Sequence, residues 1–190
     1  MENSIMSEIN DWLAELLMIT KPKTIVELGT ESGNSTRVFL EYIKHFGATL
    51  VSVDIDPNCA DYKQEGYTRV IADDVEYAKT YQNGSNKEID LLFIDTSHIY
   101  EHTMKELELY IPLMSSKGII CFHDTNIYSG PLYNSHGIVV GNGWDNKRGV
   151  IKAIEDTYFV KIDEKRQIIT VTPNKQIIHK PWSGGFTIVC

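Results

Sequence analysis

Two short apolar runs limit what this chain can fold into more than any other feature. The first, IDLLFID, ends at Asp95, with His98 three residues on. The second, GIICFHD, ends at His123 and Asp124. Between them, YEHTMKELELYIPLM has the length and amphipathic pattern of a helix. A strand, a helix and a strand of these lengths make a parallel crossover unit. If the two strands are neighbours, Asp95, His98, His123 and Asp124 crowd one carboxyl edge of the sheet, where open α/β sheets bind ligands. Carboxylates gathered there repel one another unless a cation or a proton joins them.

The rest of the chain repeats that alternation. Ile5, Ile9, Trp12, Leu13, Leu16 and Leu17 share a helical face within residues 1–20, and Pro22 stops that helix. TIVEL (Thr24 to Leu28) reads as a strand, GTESGNS as a turn and STRVFLEYIKHF as a helix ending near Gly47. ATLVSVDID is a second strand ending at Asp54 and Asp56, with Pro57 breaking the ladder and a short helix expected after it. YTRVIADD is a third, ending at Asp73 and Asp74; VEYAKTY is helical and QNGSNK a polar loop. Residues 125–148 form a long Gly- and Asn-rich loop, GVIKAIEDTYF a helix, and RQIITVTP with GGFTIVC a closing antiparallel pair. The expectation is one α/β domain over residues 1–190: a doubly wound, seven-stranded sheet of five parallel βα units and an antiparallel closing pair.

Composition narrows the partners. A formal charge of −8 lacks the basic footprint that nucleic acid requires. No apolar run approaches the roughly 20 residues needed to cross a bilayer, and the acidic, amphipathic N-terminus is unlike a signal peptide. Cys59, Cys121 and Cys190 show no paired metal spacing, so a reducing cytoplasm is the expected setting. A homo-oligomer is compatible with all of this.

The first turn, VELGTESGNST, indicates the cofactor. Gly29 and Gly33 let the backbone turn tightly. A dinucleotide fold also places glycines here, to cradle pyrophosphate. Yet Glu31 occupies the middle of this turn, and a fixed anion opposes pyrophosphate. S-adenosylmethionine, with a sulfonium, an ammonium and no phosphate, fits better. Asp54 can accept from ribose hydroxyls, and Asp73 or Asp74 from the adenine amino group. Spacing alone does not separate this cofactor from a nicotinamide. The bland alternative makes the glycines tight-turn residues and the aspartates caps.

VELGTESGNST, VSVDID, IADDVEYA, FIDTSHIYE and GIICFHDT, in this order, resemble the class I S-adenosylmethionine-dependent methyltransferases, from about Lys23 to the C-terminus. The likeness is to the small-molecule O-methyltransferase branch that includes cephalosporin-hydroxylase-like and macrolide-sugar enzymes. It implies a Rossmann-like fold and a cofactor site lined by Glu27, Gly29, Gly33, Asp54 and either Asp73 or Asp74, with Glu31 in the same turn standing where many relatives carry Gly. It also implies a magnesium ion that holds a hydroxyl of a small-molecule or sugar acceptor. Asp95 and Asp124 match two acidic ligands, and His123 stands where some relatives carry a glutamate ligand. Thr125 stands where catechol-type enzymes carry a ligating Asn, with Asn126 able to compensate. Magnesium prefers oxygen to imidazole, which leaves the third ligand open. A divalent cation lowers a hydroxyl pKa, a histidine takes the proton, and proximity drives the transfer. His98 is the expected base, by position and by resemblance.

Three other readings compete. The chain could be a nucleoside-cofactor-binding module without catalysis, or a nicotinamide enzyme. His98-Ile99-Tyr100-Glu101-His102 also matches the H-x-x-E-H pattern of inverted zinc peptidases, although a run of βα units is the wrong context. Tyr100, Glu101 and His102 otherwise read as structural. Finally, Tyr128, Tyr133, His136 and Trp144 punctuate the loop after Asp124, as in a lid over an acceptor.

Overall fold

The computed structural model describes residues 5–84 and 88–190. An N-terminal helix, α1 (Ile5–Thr20), precedes β1 (Thr24–Leu28), α2 (Asn34–Phe46), β2 (Thr49–Asp54), β3 (Tyr67–Ile71) and α3 (Asp74–Gly84). Then come β4 (Ile89–Ile94), α4 (Tyr100–Tyr110), β5 (Met114–His123), the hairpin β6 (Gly130–Tyr133) and β7 (Val139–Gly143), and α5 (Gly149–Tyr158). Three strands close the described chain: β8 (Ile168–Val171), β9 (Gln176–Lys180) and β10 (Phe186–Val189). The main sheet runs β3-β2-β1-β4-β5-β10-β9-β8. Its first five strands are parallel, and β10, β9 and β8 add on in antiparallel pairs.

The central strands read as unbroken apolar runs because both faces of the sheet are covered. Leu91 and Phe93 of β4 pack with Ile25, Leu50, Cys121 and the helices α1 and α2. Leu92 and Ile94, one residue out of phase, pack with Val26, Phe122 and the helices α3, α4 and α5. Phe39 of α2 meets Phe93 edge-on at 5.8 Å. Each such side chain contributes about 1.5–3 kcal/mol by burial. α2 ends where expected, at a left-handed Gly47 whose N–H donates to the Ile43 carbonyl.

Four expectations change. The sheet has eight strands, not seven, because QIIHK forms β9 between the two expected closing strands, so β8 and β10 flank it and do not pair. His179 disguised that strand: it is buried like Ile177, with Nδ1 2.8 Å from Thr187 Oγ1 and Nε2 2.9 Å from the Glu164 carbonyl oxygen. Residues 125–148 are not a plain loop, since β6 and β7 pair within them and bury Leu132. No helix follows Pro57; Asp54 and Asp56 instead accept N–H bonds from Asp56 and Asn58 and hold turns. QNGSNK is only partly testable: residues 82–84 end α3, and 85–87 lie outside the described residues.

Candidate active site

The parallel pairings β1–β2, β1–β4 and β4–β5 bring the loops after these strands to one edge. Gly29, with φ +86°, lies so close to Asp95 that a Cβ there would collide with the Asp95 carbonyl. The turn glycine is thus needed where two strand ends meet. Asp54 Oδ2 accepts the N–H groups of Thr30 (2.7 Å) and Glu31 (2.9 Å), clipping the end of β2 to the first turn. A cleft of about 420 Å³ opens along this edge, lined by Gly29, Glu31, Asp54, Asp73, Asp74 and Thr96, among others.

Five of the seven expected cofactor residues therefore share one cleft, and two do not. Glu27 is fully buried and accepts hydroxyl bonds from Ser35 (2.6 Å), Thr36 (2.8 Å) and Ser52 (2.5 Å). Burial pushes its carboxyl up to about 7 against the pull of those three bonds. It ties β1 to α2 and β2. Gly33 (φ +74°) faces Tyr62 and Ala60, so it makes room for the segment after β2.

Asp95, His98, Asp124 and His123 form a closed ring of alternating carboxylates and imidazoles. His98 Nε2 lies 3.1 Å from Asp95 Oδ1 and 3.2 Å from Asp124 Oδ2. His123 Nδ1 lies 3.2 Å from Asp95 Oδ2, and its Nε2 3.5 Å from Asp124 Oδ1. Both His98 (φ 58°) and Asp124 (φ 53°) adopt left-handed backbone, uncommon outside glycine and concentrated at functional sites. His123 Nε2 also donates to the Ser183 carbonyl at 3.2 Å. Both its nitrogens thus face acceptors, an arrangement that favours the imidazolium. Burial alone would lower its pKa, but Asp95 and Asp124 carry it up to about 10. Burial likewise works against the Asp95 carboxylate, yet His123 and His98 hold it well below the usual range. Asp124 is raised, by burial and then by Asp95, against the two histidines.

His123 turns both ring nitrogens to protein acceptors and lies outside the group of side chains close enough to share an ion. The ligating atoms of Asp95, His98 and Asp124, however, lie within 4.8 Å of one another, which fits a divalent ion. Thr125 faces His179 (3.4 Å) and Thr187 (3.0 Å), and Asn126 donates to the Pro181 carbonyl at 2.7 Å, so neither joins the cluster.

A second cleft, also about 420 Å³, adjoins the first at Asp95. It shares Gly29, Glu31, Asp95 and Thr96 with the first, and His98, Asp124, Ile127, Trp144 and the start of α1 wall it. Trp144 packs on the His98 ring at 5.6 Å, and Asn146 donates to the Asp124 carbonyl at 2.8 Å. Glu8 of α1 accepts from the Ser135 N–H (3.1 Å), the Ser135 hydroxyl and the Ser183 hydroxyl (2.9 Å).

The zinc-peptidase pattern does not assemble. α4 begins at Tyr100, so His98 and His102 lack helical spacing. His98 faces Asp95, while His102 Nε2 lies 2.9 Å from Asp74 Oδ1. Tyr100 is structural, as expected, donating to Asp156 at 2.9 Å. Sequence reasoning missed Thr96, Glu8 and the Ser183-Gly184-Gly185 turn. The signal for that turn was its glycine pair: all three residues have φ between 55° and 91°, and a Cβ on Gly184 would sit 2.5 Å from Asp124 Oδ1.

A family model described as a methyltransferase domain matches residues 26–125, more than half of the chain. The chain belongs to the methyltransferase-domain family. This methyltransferase domain is 29% identical over 149 residues to an uncharacterized protein of Sinorhizobium fredii, covering 70% of the chain and 15% of that protein. It is 25% identical over 153 residues to the rhamnosyl O-methyltransferase of Mycobacterium bovis, covering 76% of the chain and 60% of the relative. The chain thus spans less than two thirds of the length of each. An O-methyltransferase of Streptomyces achromogenes involved in tomaymycin synthesis, solved in complex with S-adenosylmethionine, shares the fold. Its TM-score is 0.67 at 12% identity, over 96% of this chain and 79% of that one.

Proposed function

We propose that this methyltransferase domain transfers a methyl group from S-adenosylmethionine to a hydroxyl of a small molecule or sugar. The observation that carries the reading is the meeting of two clefts at Asp95, with a carboxylate–imidazole cluster at the junction. The acidic wall of the first cleft, Glu31, Asp54 and Asp73, complements a sulfonium and an ammonium, and the rhamnosyl O-methyltransferase relative supports a sugar-like acceptor for the second. The acceptor oxygen attacks the methyl carbon, the carbon–sulfur bond breaks, and S-adenosylhomocysteine leaves as a neutral thioether. The hydroxyl proton goes to His98. With its Nε2 hydrogen donated toward Asp95 and Asp124, Nδ1 is the nitrogen left to accept it. Trp144, packed on the His98 ring in the wall of the second cleft, acts as the part of a lid that covers the junction.

A divalent cation, magnesium in this reading, would be held by Asp95 and Asp124, and it would supply acidification and orientation of the hydroxyl. One observation favours a metal-independent form: every carboxylate oxygen of the pair already faces an imidazole nitrogen. Asp95→Ala and Asp124→Ala should each lower turnover at least about 100-fold while S-adenosylhomocysteine still binds by calorimetry. Near-normal turnover in either variant removes the junction from the mechanism. Turnover that survives EDTA in the unaltered chain selects the metal-independent form.

A further inference from the structure

A second cluster lies outside that ring. Asp74, the first residue of α3, faces His102 and Glu106, which stand one helical turn apart on the same side of α4. Their ligating atoms lie within 4.8 Å of one another. His102 Nε2 is 2.9 Å from Asp74 Oδ1 and 3.7 Å from Glu106 Oε1. Tetrahedral zinc with ligands at about 2.0–2.2 Å holds donor atoms roughly 3.4 Å apart, which brackets this spacing.

Burial makes the cluster unusual. Glu106 is completely buried, and Asp74 is 8% exposed. Glu106 Oε1 accepts the Thr96 hydroxyl at 2.6 Å, but Glu106 Oε2 is buried with no hydrogen-bond partner, although its carboxyl lies within reach of the Asp74 carboxyl. Two carboxylates side by side at the buried end of a cleft need a shared proton or a cation between them. The imidazole they share is that of His102, and burial followed by Asp74 lifts the Glu106 carboxyl well above its ordinary range. A divalent ion would neutralise both carboxylates and satisfy Glu106 Oε2, displacing the Glu106 proton. Tyr110, donating to the Asp74 carbonyl at 2.8 Å, and Thr96 brace the donors from behind. His102, the least buried of the three, opens onto the nucleoside cleft and provides an entry path.

We propose that Asp74, His102 and Glu106 form a second divalent-cation site, of the zinc or manganese type, in the wall of the nucleoside cleft. An imidazole beside two carboxylates selects such ions over magnesium. The site shares no donor with the Asp95–Asp124 pair, although Asp74 also lines the nucleoside cleft, so zinc binding without cofactor reads it independently of methyl transfer.

The test is calorimetric titration of zinc chloride into EDTA-stripped full chain. In Asp95→Ala/Asp124→Ala, about one equivalent of zinc should still bind. Adding His102→Ala should weaken that binding at least about tenfold, and Glu106→Gln, which keeps the Thr96 hydrogen bond, should do the same. Zinc should release about one proton per ion, read from the dependence of heat on buffer. Cobalt absorption checks the imidazole independently, since His102→Ala should shift the bands of the cobalt-loaded protein. No zinc binding in Asp95→Ala/Asp124→Ala, or binding unchanged by His102→Ala and Glu106→Gln, overturns the site.

Discussion

Glu27 shows how a single residue can misdirect a reading of sequence. It sits in VELG at the mouth of the cofactor turn, yet its carboxyl is wholly internal and held by Ser35, Thr36 and Ser52. Its folded pKa, about 7, exceeds the unfolded 4.5 because burial penalises the charge. The sign follows directly. This residue contributes stability that is fully present below about pH 4.5 and is lost as pH rises through about 7. Glu27→Gln should therefore flatten the decline of unfolding free energy across that window, by up to about 1.4 kcal/mol per pH unit. Urea titrations at several pH values measure it, and a slope identical to that of the unaltered chain contradicts the account. Asp95 and Asp124, by contrast, were legible because each ends an apolar strand at a sheet edge. His123 was legible in place but not in role, since only Ser183 opposite its Nε2 tips the ring toward an imidazolium.

At the scale of elements, strands with an apolar run or alternation were plain, the half-exposed β3 and β8 included, and those interrupted by a buried polar residue or a proline were not. β4 and β5 carry long apolar runs, whereas β9 buries a histidine and β6 is a short, proline-containing strand that buries only Leu132. The contact between α1 and the hairpin region joins residues more than 100 positions apart, so no local pattern encodes it. Glu8 there gathers the backbone and hydroxyl of Ser135 and the hydroxyl of Ser183. Glu8→Gln should speed amide exchange across residues 134–138 while changing global stability by less than about 1 kcal/mol, as for a surface-side interaction. Exchange mass spectrometry reads this. Unaltered exchange in that segment would show that α1 does not restrain the hairpin.

For the whole molecule, two clefts share one wall that includes Asp95, and the proposed function assigns one to the donor and one to the acceptor. A ligand that fits the acidic first cleft should stabilise the folded chain by mass action. S-adenosylhomocysteine at 100 times its dissociation constant adds about 2.7 kcal/mol, visible as a rise in Tm. NAD, whose pyrophosphate meets Glu31 and Asp54, should leave Tm unchanged. A shift with NAD and none with S-adenosylhomocysteine would reverse the cofactor assignment. Among the described residues no helix is long and apolar enough to cross a membrane, consistent with apolar runs sized for strands and core helices.

Periodicity and chain order by themselves determined the parallel βα core and which edge carries Asp54, Asp73, Asp95 and Asp124, because strand length, crossover length and terminal acids are local properties. Tertiary structure alone decided which of those acids meet, that Glu27 and Gly33 turn away, that His123 bridges two carboxylates, and that His102 joins Asp74 and Glu106. Those outcomes depend on distances between segments remote in sequence, and on a buried charge finding its partner only once the chain has closed around it.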